Sequence, residues 1–132
     1  MSKSVAIPLD IQVDGVSQLK ETFQYAAEGV DIIEIVLAPA DADIEVDLQP
    51  GLPADISVLG IKSTSYQEGG LTKISFKVGT DKGDVISLDA PLVLTGAGAI
   101  GLLGVAVDKL FFSNPGLVAK TVTIVVARDV TP

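Results

Sequence analysis

Apolar and polar residues alternate strictly from Val5 onward. Val5, Ile7, Leu9, Ile11 and Val13 share one parity, and Ala6, Pro8, Asp10, Gln12 and Asp14 share the other. Side chains alternate faces along a strand, so this segment predicts a ribbon with one buried and one wet side. Asp14-Gly15 then marks a turn. The stretch from Val16 to Ala27 fits two templates. Val16, Leu19, Phe23 and Ala26 have helical spacing, while Leu19, Phe23 and Tyr25 share strand parity. A strand entering at Lys20 is the first expectation and a short helix the alternative.

Downstream, the strand signal recurs between turn signals. Asp31 to Leu37 is a β-rich run ended by Pro39, and Asp43 to Leu48 alternates with Ile44, Val46 and Leu48 expected inward. Pro50-Gly51 and Pro53 break the chain before Ala54 to Ser63, and a loop with Glu68-Gly69-Gly70 precedes Leu71 to Val78. Thr80-Asp81-Lys82-Gly83 predicts a hairpin turn into Asp84 to Leu88. Leu92 to Thr95, Val107 to Ser113 and Lys120 to Ala127 complete the set, with Asn114-Pro115-Gly116 between the last two. The fold expected is all-β: a single-domain antiparallel β-sandwich or jelly roll of about eight to ten short strands, with at most one short helix. Residues 1–132 read as one domain, with residues 1–28 as a candidate N-terminal arm.

Composition agrees with that picture and narrows the chemistry. Valine, isoleucine, leucine and alanine dominate a hydrophobic fraction of 48%, aromatics are only 5%, and cysteine and histidine are absent. No disulfide framework is available, and a chain of 132 residues needs none. Nine basic against seventeen acidic residues give a net charge of −8, and Arg128 is the sole arginine. Such a surface repels phosphate backbones and anionic bilayers, so neither nucleic acid nor membrane is an expected partner. The first residues, MSKSVAIPLDIQ, lack the apolar core of a secretory signal. The uncharged stretch between Asp89 and Asp108 approaches the length of a membrane span, but Pro91 and four glycines divide it.

Two motifs invite a functional interpretation. Gly96-Ala97-Gly98-Ala99-Ile100-Gly101 matches GxGxxG after the apolar run PLVLT. In a dinucleotide site those glycines would let backbone amides approach a pyrophosphate. Here Gly104, Val105 and Val107 make a poor following helix, and too few residues remain after Gly101 to complete a nucleotide-binding half. The alternative is that the glycines relieve crowding where strands or subunits approach closely. Asp41, Asp43, Glu45 and Asp47 fall at period two and would line one strand face roughly 7 Å apart, too splayed to wrap one ion. A solvated face is expected rather than a metal site.

Catalysis is poorly supplied, because without histidine or cysteine the general base falls to a carboxylate or lysine and the nucleophile to an unassisted serine or threonine. A non-enzymatic protein with no cofactor is therefore expected. The uncharged segment from Ala90 to Val107 reads as two core strands, part of which could serve as a subunit contact. Phe111 and Phe112 point to opposite faces of a strand, so one of them must meet a second layer, a loop or another chain. Leu102, Leu103, Phe111 and Phe112 are accordingly the candidate subunit-contact residues.

The succession IKSTS, TKISFKVG, DVISLDAPLVLTG, DKLFFSNPG and KTVTIVVARD resembles small β-sandwich virion proteins of tailed bacteriophages. The likeness runs from Ala54 to Thr131 and is one of pattern. The resemblance implies a capsid decoration (cement) protein that binds the major capsid protein and its own copies as a homo-oligomer. A tail, portal-adaptor or fibre subunit is the related alternative. It also implies synthesis in the host cytoplasm and residence in the virion. A carbohydrate-binding module is the alternative of a different class, and its exposed aromatics would have to come from Phe23, Tyr25, Tyr66, Phe76, Phe111 or Phe112.

Overall fold

The computed structural model describes residues 3–27, 29–48, 56–64, 66, 74–103 and 109–128. Along these residues run β1 (Lys3–Val13), β2 (Val16–Ala27), β3 (Gly29–Leu37), β4 (Ile44–Asp47), β5 (Ile56–Ser63) and β6 (Ser75–Val78). They are followed by β7 (Ile86–Ser87), β8 (Leu92–Thr95), α1 (Ala97–Gly101), β9 (Lys109–Ser113) and β10 (Lys120–Arg128). The all-β expectation holds, with a single five-residue helix among the described residues. The breaks at Pro50-Gly51 and Pro53, the Glu68-Gly69-Gly70 loop, and the expected strand residues 54–55, 71–73 and 107–108 lie outside the described residues.

All pairings are antiparallel and form three sheets: a β1-β2 ribbon, a sheet of order β3-β10-β5-β8, and a sheet of order β4-β9-β6-β7. The two four-stranded sheets share one core. Leu59, Ile61, Val122, Ile124 and Val126 come from the first, and Val46, Phe76, Val78, Leu110 and Phe112 from the second. The rings of Phe76 and Phe112, cross-strand partners on β6 and β9, lie 5.6 Å apart at 37°, a tilted arrangement that favours the ring quadrupoles. Ile44 faces inward, opposite Phe112, but is not enclosed. It opens β4 at the margin of the sheet and is 36% exposed, while Val46 and Leu48 are buried as the alternation predicts.

The β1-β2 ribbon closes through a two-residue turn. Asp14 (φ 51°) and Gly15 (φ 80°) both take left-handed backbone, the type I′ geometry whose twist matches the flanking strands. The stretch from Val16 to Ala27 is strand throughout, so it does not wait for Lys20. Its helix-like spacing has a local cause. Ile11 pairs with Leu19 but Gln12 pairs with Ser17, so a bulge absorbs Gln18. The extra residue brings Val16 and Leu19, three apart, to one face.

Asn114 ties the two sheets at one end. It is fully buried, and its amide Nδ2 donates to the carbonyls of Leu37 (3.1 Å) and Val118 (3.0 Å). Its Oδ1 accepts from the Gly116 N–H at 3.0 Å. Its backbone N–H donates to the Asp41 carbonyl at 2.8 Å, and its carbonyl accepts from Ala40 N–H at 2.9 Å. One residue thus joins the end of β3, the loop before β4, the end of β9 and the approach to β10. Replacing it with alanine takes a buried partner from the Leu37 carbonyl and the Gly116 N–H, and a half-buried one from the Val118 carbonyl. Asn114→Ala should lower unfolding free energy by about 2–4 kcal/mol in urea titrations, with the slope against denaturant unchanged.

Candidate functional site

The residues with the most chemistry are spent on local structure. Of the acidic series, Asp41 and Asp43 precede β4 rather than lining it, and Asp43 has left-handed backbone (φ 51°), which breaks the period-two row. The Asp41 carboxylate accepts from Ala38 N–H at 2.8 Å. Asp43 pairs with Lys77 at 3.0 Å and Glu45 with Lys109 at 3.7 Å. The carboxylates therefore answer to different cations, and no group of three potential metal ligands occurs among the described residues. Arg128 donates to the Leu48 carbonyl and lies 3.9 Å from the Asp31 carboxylate.

The glycine motif also resolves into backbone geometry. Gly96 has φ 86° and precedes α1, a conformation that glycine adopts without strain. A Cβ at Gly98 or Gly101 would meet no atom within 4 Å. The expectation that these glycines relieve crowding is thus not met within the chain at Gly98 and Gly101. No described helix is long and apolar enough to cross a membrane.

The four candidate contact residues part company. Phe112 is wholly buried against Phe76, so its contact is met inside its own chain. Leu103 is half-buried and packs on the core. Phe111 points the other way, half-buried between Glu45 of β4 and Lys77 of β6. Leu102, at the end of α1, is 82% exposed. The structure does not gather the four into one site.

What it gathers instead is a pair of apolar surfaces. The outward side of the β4-β9-β6-β7 sheet carries Glu45, Asp47, Lys77, Lys109, Ser75, Ser87 and Ser113 around the half-buried Phe111, crossed by the ion pairs above. It is a conventional wet face. The outward side of β3-β10-β5-β8 is more apolar, with Glu34 and Lys62 on either side of Thr123 as its charges among the described residues. Cross-strand register aligns Ile32, Val125, Gly60 and Val93 in one row. Ile32 is 70% and Val36 68% exposed. Because Gly60 has no side chain, the row dips into a shallow depression of about 230 Å³ lined by Gly60, Pro91, Leu92, Val93, Thr123 and Val125 among others.

The ribbon supplies the second surface. Register and bulge place Val5, Ile7, Leu9, Ile11 and Val13 on the same face as Val16, Leu19, Glu21 and Phe23. The other face carries Ser4, Asp10, Gln12, Ser17, Lys20 and Thr22, with Asp10 accepting from Gln12 and Ser17. At the base of the ribbon, Val5, Ile7 and Ala27 pack against Val30, Val58 and Ala127. Those last three form the adjoining row of the same outward sheet face. Beyond that base the ribbon's apolar side chains Ile11, Val13, Val16 and Leu19 are exposed.

The sequence carried a signal for this face. In DIIEIVL, apolar residues occupy both parities, the mark of a strand covered on both sides. No family model, curated protein or solved structure matches the chain. A Cβ at Gly60 would lie 3.8 Å from Val125 Cβ, ordinary contact. Gly60→Ala should therefore raise stability by about 0.5 kcal/mol, seen as a small increase in Tm, while making the depression shallower.

Proposed function

We propose that this chain is a non-enzymatic structural protein of a virion, a capsid decoration protein that binds capsid subunits and its own copies. The observation that carries the reading is the asymmetry of the two-sheet body: one outward face is polar and ion-paired, the other apolar and continuous with an exposed apolar ribbon. Monomeric soluble proteins rarely present contiguous apolar patches of this kind unless another molecule covers them. The resemblance of the C-terminal half to small phage virion sandwiches supplies the setting. The acidic surface suits the outside of a shell better than a face turned to DNA.

The mechanism is mechanical. Apolar side chains buried between subunits, repeated over a lattice, add through avidity, so each contact can be modest while the whole resists internal pressure. Mixed with expanded empty capsids from the virus whose genome carries the gene, the purified protein should sediment with the shells and raise the temperature at which they come apart. Absence of the protein from the shell pellet, or shells no more heat-resistant with it than without, would overturn the reading.

A further inference from the structure

The exposed half of the ribbon and the exposed half of the sheet face are two parts of one kind of contact. Within the chain, the base of the ribbon already lays its apolar side on that sheet: Val5 and Ile7 sit over the row formed by Val30, Ala127 and Val58. The next row, Ile32–Val125–Gly60–Val93, continues that surface uncovered, just as Ile11, Val13, Val16 and Leu19 continue the ribbon's face uncovered. Both surfaces stop being covered at the place where the ribbon leaves its own sheet.

The geometry points to a head-to-tail contact in which the distal ribbon of one copy covers the Ile32–Val93 row of a second copy. This deepens the proposed function and rests on it in naming the partner as a second copy of this chain.

Four observations favour that occupant. No glycine interrupts Lys3–Val13 or Val16–Ala27, so the ribbon has no glycine hinge at which to fold back on its own sheet. A lone two-stranded ribbon is marginal in water, so its distal half needs a covering surface. Both edges are blunted against strand addition, β1 by Pro8 and β2 by the bulge at Gln18, which leaves the face as the means of contact. Glu21 is the one charge on the ribbon's apolar side beyond its base, and Lys62 borders the depression. A ribbon seated there can bring the two together.

The area is adequate. The exposed apolar side chains of ribbon and sheet would together bury on the order of 800–1,000 Å², near the roughly 1,000 Å² at which specific interfaces begin. Because ribbon and sheet are different surfaces, the contact is heterologous, and identical copies joined this way close into a ring when the rotation permits.

Sedimentation of the full chain tests it. The wild type should run as an oligomer. Ile11→Asp on the ribbon and, separately, Val93→Asp or Ile32→Asp on the sheet should each reduce it to the 13.6 kDa chain. All three positions are surface-exposed, so circular dichroism should show an unchanged strand spectrum. Val16→Asp replaces Ile11→Asp should the latter misfold. An equimolar mixture of the ribbon variant and a sheet variant retains one good ribbon and one good sheet. It should give a one-to-one pair of twice the chain mass and nothing larger.

The proposal falls if the wild type stays monomeric well above micromolar concentration. It falls equally if sheet variants keep the full assembly while the ribbon variant loses it, which would mean ribbons pair with ribbons, or if the mixture stays monomeric. A chain that assembles as described but ignores capsid shells would remove the proposed function and leave this contact standing. A chain that binds shells as a monomer would do the reverse.

Discussion

The buried amide of Asn114 is the point on which the rest of the structure depends. It fixes Leu37 at the end of β3 and Val118 ahead of β10 in one hydrogen-bonded cluster, and so sets where β10 begins. Among the described residues, β10 is the strand of its sheet paired along most of its length on both sides, with β3 and with β5. Its register decides which side chains enter the core. A slip of one residue would turn Val122, Ile124 and Val126 outward and bring Thr121 and Thr123 in, reversing the entire strand. The buried amide and the alternation of β10 thus select the same pairing.

The same register creates the asymmetry of the two outward faces. On the β9 side, alternation places lysines and carboxylates where they meet across strands, and water covers them. On the β10 side, the outward set is Thr121, Thr123, Val125 and Ala127, with Ile32 and Val36 beside it on β3. Among the described residues, nothing polar there asks for water beyond the hydroxyls of Thr95, Thr121 and Thr123, Glu34 and Lys62. The fold therefore has a wet side and a dry side before any partner is considered, and the ribbon leaves from the end of the dry one.

Much of this was legible in the chain. Period-two alternation located β1 and β4, runs of β-branched or apolar residues located β3, β8 and β10, and the turn residues at Asp14-Gly15 and Thr80 to Gly83 marked hairpins that the structure contains. The opposed directions of Phe111 and Phe112 followed from strand geometry, though only the structure shows that Phe112 is the inward one. The failures have physical causes. A bulge at Gln18 gave β2 the spacing of a helix, because an extra residue shifts parity halfway along the strand. The acidic row broke because Asp43 turns the backbone before the strand starts. The dry face was legible only in β3, where DIIEIVL is apolar at both parities. The rest is assembled by register from a glycine in β5, a valine in β8 and a valine in β10, each unremarkable where it stands.

The bulge has a consequence for how such a molecule can vary. β1 has eleven residues and β2 twelve, and the odd residue is taken up at Gln18, so both strands present the same side chains to the same side. Lengthening both strands by one residue between base and bulge would flip everything beyond it. Lengthening both by two would preserve the facing and extend the ribbon by about 7 Å. The projection can therefore grow or shrink only in such double steps if its character is to survive. The reach of the ribbon becomes a stepped quantity, adjustable in sequence without touching the body that carries it.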